Sequence, residues 1–136
     1  MSGFGRGALT HEELRQFTGD LERYRHPFNR RILFTPGVHH LAERAGAFWL
    51  IDLIASYFGS EIMGQAVLDD ERLSVMQFWR LDVDDTGRAV ASCRADGGDE
   101  PAITQVVPFT DFPLDHVDVW AGFDGEHWTL YLPSEH

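Results

Sequence analysis

Four small constellations in this chain carry side chains that could do chemistry. His39 and His40 precede Glu43, and a His/Glu pair four residues apart on a helix presents two ligand atoms on one face. Two ligands are too few for a metal site, no matching pair stands elsewhere, and solvated helix surface is the simpler account. Asp52 interrupts the most apolar run, Ala45 to Phe58. A carboxylate buried there would be costly unless paired, and its pKa would rise, as in a general acid or base. Arg44, Arg80 or His116 could pair with it, or it could cap a neighbouring element or face solvent. The stretch from Asp82 to Gly87 opens like a calcium loop, but the twelfth position, which needs a bidentate glutamate, is Cys93. It reads as a hairpin turn. Asp111, Asp115 and His116 share one short stretch, where an Asp beside a His could support acid–base work; anchoring a loop between strands is the plainer role.

Other chemistries lack their residues. Ser56 falls in mid-helix and Ser134 in the C-terminal tail, so neither has a nucleophile context. There is no phosphate loop, dinucleotide fingerprint or zinc-protease helix, and without lysine there is no Schiff base. The single cysteine, Cys93, excludes an internal disulfide and a cysteine-based zinc site, and its alternating apolar context predicts a small buried side chain. The chain is therefore expected to hold no metal and no cofactor, and to suit a reducing, cytoplasmic compartment. Ala45–Phe58 is shorter than the roughly 20 residues that span a bilayer. Met1–Gly7 lacks the apolar core of a signal peptide, and residues 1–9 are expected to be flexible.

Charge is the most informative feature. All 11 basic residues are arginine, and the net charge is −11. Residues 1–44 hold seven arginines against five acids, whereas residues 45–136 hold four against 17. Such a field repels phosphates and anionic lipid, which argues against direct nucleic-acid or membrane binding and favours a basic protein surface as partner. Solubility alone is the simpler use of the charge. The acids gather as Asp69, Asp70 and Glu71, then Asp82, Asp84 and Asp85, then Asp96, Asp99 and Glu100. Spaced this way they could imitate phosphates, with an exposed Trp120 or Trp128 as apolar anchor.

The elements that must position these groups follow from period and punctuation. Thr10 and Glu13 form a capping box, Leu14, Phe17 and Leu21 recur at helical spacing, and Gly19 ends or bends that helix. His26-Pro27 marks a break. Thr35-Pro36 opens a second helix, whose apolar stripe runs unbroken through Gly46 and predicts one central buried helix over about 36–58. Gly59 and Gly64 bracket a connector, and Asp69–Glu71 could open a short helix. Five strands follow, at Met76–Val83, Ala89–Arg94, Ile103–Phe109, Val117–Ala121 and Trp128–Leu132. Asp-Gly turns between them predict an antiparallel meander. The expected fold is a single α+β domain over 1–136. Phe48, Trp49, Leu50, Ile51 and Leu53 should pack on Trp79, Leu81, Val106, Val119 and Leu130.

Three blocks carry a resemblance: the run from Thr35 to Ser56, Thr110-Asp-Phe-Pro-Leu114, and Leu132-Pro-Ser-Glu135, with Phe17-Thr-Gly19 upstream. Together they resemble an uncharacterised family of small bacterial, plasmid- and phage-encoded proteins. The resemblance implies a mobile-element context, in which small acidic proteins act on host defence or regulatory machinery, and it assigns no residue a role. The leading expectation is a non-enzymatic acidic protein-binding module, an accessory or inhibitor that mimics nucleic acid. The alternatives are a small enzyme using Asp52 with His39, His40 or His116, and a structural oligomer such as a homodimer.

Overall fold

The computed structural model describes residues 8–19 and 22–136. Most of the expected flexible segment, and Leu21 of the first helix, lie outside these residues; Leu9 is buried in the core. Thr10 caps the first helix, α1 (His11–Arg15), by accepting a hydrogen bond from the Glu13 amide. Thr35 caps α2 (Pro36–Ala45) in the same way through Val38, with Pro36 in the first turn.

The central helix is two helices. Gly46 takes a left-handed conformation at φ 61° and closes α2, and α3 (Phe48–Tyr57) starts afresh after a non-helical Ala47. Those two residues reset the helical phase. Leu50, Ile51, Ile54 and Ala55 face the core, Trp49 and Leu53 are half-buried, and Phe48 is 45% exposed. The reading that counted straight through Gly46 therefore misplaced Phe48.

Gly59 and Gly64 do not bracket a connector. Ser60 caps α4 (Glu61–Asp69), which runs through Gly64 and buries Met63 and Ala66. Asp70 then caps a 3-10 turn at Glu71–Ser74.

Among the described residues the sheet has seven strands rather than five. The additions are β1 (Tyr24–Arg25) and β2 (Ile32–Phe34); β3 (Met76–Val83), β4 (Ala89–Arg94), β5 (Ile103–Val107), β6 (His116–Phe123) and β7 (Trp128–Tyr131) follow. Their order is β1-β2-β7-β6-β3-β4-β5, antiparallel except for the β2–β7 pair. Only β3–β4–β5 is a meander. The 108–115 connection is long and buries Phe112 and Leu114, and it carries β6 back beside β3. β6-β3-β4-β5 is a Greek-key order, which short-connection reasoning could not anticipate.

The sheet divides the molecule into a covered and an open face. Inward residues Gln77, Trp79, Leu81, Ala91, Cys93, Val117, Val119, Ala121 and Leu130 are buried beneath the helical layer. Val106 belongs to the opposite face and is 48% exposed, so it is not a core residue.

Candidate functional site

Asp52 does pair with a histidine, but with His26 and none of the three expected. His26 is buried, and its Nε2 lies 2.8 Å from an oxygen of the exposed Asp52. The other ring nitrogen, Nδ1, accepts the amides of Phe28 and Asn29 at 3.2 and 3.0 Å. A ring whose Nδ1 accepts two amides carries its proton on Nε2, where it is given to Asp52. Neither nitrogen is free to act as a base, so His26 fastens the 26–29 turn to α3. Ser56, one turn beyond Asp52, donates to the Leu53 carbonyl at 2.6 Å. These residues line a shallow cleft, yet they compose no catalytic relay.

His39 stacks on Tyr24, with ring centroids 4.1 Å apart and planes within 6°, and meets Glu43 at 3.5 Å. His40 and Arg44 instead close on Glu13, whose two oxygens take Arg44 Nε and Nη2 at 2.9 and 3.0 Å. Burial of Glu13 pushes its carboxyl up, and the hydrogen bonds from Arg44 and His40 outweigh that, so its pKa falls below the ordinary value. This pair joins α1 to α2. Cys93 is buried, and desolvation pushes its thiol up to about 12, so no thiolate nucleophile is at hand.

Several of the acids are engaged within the fold. Arg72 bridges Asp70 and Asp99 at 2.7 and 2.6 Å, bringing the first and third clusters together at one end of the sheet. Arg80 pairs with Asp82 at 2.9 Å and with Asp118 at 3.3 Å. Asp84 accepts from the Thr86 amide and hydroxyl and the Arg88 amide, which makes it a turn anchor. Asp69, Glu71, Asp85, Asp96 and Glu100 are exposed.

The blocks of the sequence meet for structural reasons. The Glu135 carboxylate accepts from Thr35 Oγ1, the Gly37 amide and the Leu132 amide at 2.6, 3.2 and 2.9 Å. A Cβ on Gly37 would stand 2.5 Å from that carboxylate, so a larger residue there would push the Glu135 side chain out of this contact. Thr110 accepts the Phe112 amide and sets the buried Phe112 and Leu114.

Two features remain. The first is the open face of the sheet. Strand register aligns Tyr131, Trp120, Phe78 and Arg94 across four strands. Trp120 meets Phe78 edge to face at 5.1 Å and Tyr131 at 6.2 Å, and His136 lies against both Trp120 and Tyr131. The row is half-buried, and the next row holds Asp118 and Arg80. Trp128 faces the other way, against Phe58 at 4.9 Å, and is not part of it.

The second is a notch. β7 covers β6 only from Trp120 to Phe123, which leaves the first half of β6 without a strand on that side. The gap, of about 170 Å³, is walled by α1 and the C-terminal Leu132–Ser134. At its mouth His11 and His116 stack with centroids 4.5 Å apart. Both reach one oxygen of Asp115, His11 Nε2 at 3.0 Å and His116 Nδ1 at 2.9 Å. The hydrogen bond from His11, and then that from His116, hold the Asp115 carboxyl below its usual range. His116 and Asp115 were legible as a pair, whereas His11, 104 residues away, gave no signal beyond its place in the first helix turn.

These features describe an α+β protein with one helical layer and an open aromatic sheet face. The chain matches the family model of DUF6876, a family of unknown function, over residues 8–136, and it belongs to that family. No curated protein and no solved structure matches it. Among the described residues, no helix is long and apolar enough to cross a membrane.

Proposed function

We propose that this protein is a non-enzymatic binding module that engages a basic protein surface through the open face of its sheet. The observation that supports it most is the Tyr131–Trp120–Phe78 row, an aromatic strip on a face that the helices leave uncovered. Partly exposed aromatics that meet edge to face form a rigid anchor of the kind that dominates binding energy. The net charge of −11 supplies the complement to a basic rim and speeds encounter with it. Glu71, Asp85, Asp96 and Glu100, with the exposed Asp69 that Gln65 contacts, are the acids to meet it; Asp70, Asp82, Asp84 and Asp99 are tied into the fold. A partner whose basic surface otherwise holds nucleic acid suits that pattern, and a mobile-element inhibitor is the role it would serve.

The test is affinity capture from a lysate of the source cell at low and high salt, with wild type and Trp120→Ala. A basic, nucleic-acid-binding protein held at low salt by wild type, lost from Trp120→Ala and displaced by added duplex DNA supports the reading. Capture that ignores both the substitution and DNA refutes it. The homodimer is a second reading, favoured by β5, which closes one edge of the sheet beside a 71% exposed Phe109. Sedimentation velocity tests it: a dimer that Val106→Lys dissociates supports the homodimer, and a wild-type monomer at all concentrations refutes it.

A further inference from the structure

We propose that His11, Asp115 and His116 form a binding site for a divalent transition-metal ion of the zinc class, open to the adjoining notch. This site is independent of the partner-binding reading. Its potential ligand atoms come from α1 and from the start of β6, and all lie within 4.8 Å of one another. Sequence spacing predicts no metal here because a three-ligand set assembled across 104 residues leaves no spacing to read.

The geometry is that of ligands already converged. Asp115 Oδ1 stands 3.0 Å from His11 Nε2 and 2.9 Å from His116 Nδ1, so two imidazole N–H groups aim at one oxygen. A divalent ion replaces those two hydrogens. Each ring moves its proton to its other nitrogen and turns a lone pair inward. Metal–nitrogen bonds near ~2.0–2.1 Å put tetrahedral neighbours about 3.4 Å apart. The two nitrogen–oxygen separations therefore open by a few tenths of an ångström, and the two ring nitrogens, within 4.8 Å of each other, settle to the same spacing.

The donor chemistry selects the metal. Two imidazoles and one carboxylate suit zinc, iron, cobalt or nickel, whereas calcium and magnesium prefer all-oxygen shells. Three protein ligands leave at least one position for water or a small anion, and the notch lies against both histidines. Entry needs no opening, since Asp115 has 78% of its side chain exposed and the histidines about a third. The negative field of the protein concentrates cations around it.

The other histidines with close partners serve less well. Both nitrogens of His26 are engaged, and at His40 a metal would have to displace the Arg44 guanidinium from Glu13. His39 with Glu43 on α2, and His127 with Glu126 in the turn before β7, supply only two ligands each.

The experiment is calorimetric titration of untagged, chelator-stripped full-length protein with zinc chloride. One equivalent should bind and raise Tm. His11→Ala, Asp115→Asn and His116→Ala should each weaken binding at least about tenfold, and His127→Ala should not. Absence of stoichiometric binding, or binding undiminished in the triple variant, overturns the site and leaves a hydrogen-bonded clasp between α1 and β6. A measurement on wild type alone guards against misfolded variants. Paramagnetic cobalt should broaden amide resonances around residues 11 and 115–118, and broadening centred on His39 or His127 contradicts the proposal.

Discussion

Trp79 and Trp120 stand in successive rows of adjacent strands and point to opposite faces of the sheet. Trp79 is 1% exposed, packs on Tyr57 of α3, and donates its indole N–H to Gln77 at 2.9 Å. Trp120 has Phe78, Tyr131 and His136 as its ring neighbours and, among the described residues, no ring contact with a helix. The residue type is the same and so is the sheet. The inner tryptophan is a finished part of the core, with its one polar atom satisfied. The outer one is half-buried among other aromatics and keeps part of its ring in water on a face that the core does not use. The difference is the physical ground for resting stability on one face and proposing recognition at the other.

That contrast can be broken from the inside first. Trp79→Ala should cost about 3–5 kcal/mol in chemical denaturation, because it empties a fully buried site and leaves the Gln77 side-chain oxygen with only the weak Cys93 thiol. A loss below about 1 kcal/mol would mean that the covered face is not the core.

A smaller effect is expected where the helical layer is fastened. Glu13→Gln should cost about 2–3 kcal/mol at neutral pH, between an exposed pair and a fully buried one. Because the folded-state pKa of Glu13 lies below its ordinary value of 4.5, the contribution is complete above 4.5 and is lost as pH falls through the folded-state value. Denaturation curves of wild type and variant should therefore converge in acid. Curves that stay parallel down to strong acid would show that the pair does not carry this stability.

The smallest effect belongs to Phe48→Ala, at about 1 kcal/mol or less, since the ring is 45% exposed after the break at Gly46. A loss comparable to that of Trp79→Ala would restore the unbroken helix.

What the sequence made legible was local. The caps at Thr10 and Thr35, the burial of Cys93 and the spans of β3 and β4 follow from side-chain chemistry within a few residues. The break after Gly46 was hidden because glycine interrupts a helix only when the backbone turns left-handed, and the apolar stripe continued past it. α4 was hidden by Gly59 and Gly64, although Ser60 with Ile62, Met63, Ala66 and Val67 carries a cap and a helical period. β1 and β2 are two and three residues long, too short to show an alternation. The sites fared worse for the same reason at longer range. His26 meets Asp52 across 26 positions and His11 meets Asp115 across 104, and only the Greek-key return of β6 brings the second pair together.

The most direct test of recognition by the open face is a comparison of Trp120→Ala with wild type against the captured basic partner, with thermal unfolding measured alongside. The account predicts a Tm shift much smaller than that of Trp79→Ala and a loss of affinity of about 30-fold or more, the loss expected when an anchor residue is removed. Unchanged affinity with the fold intact would contradict it.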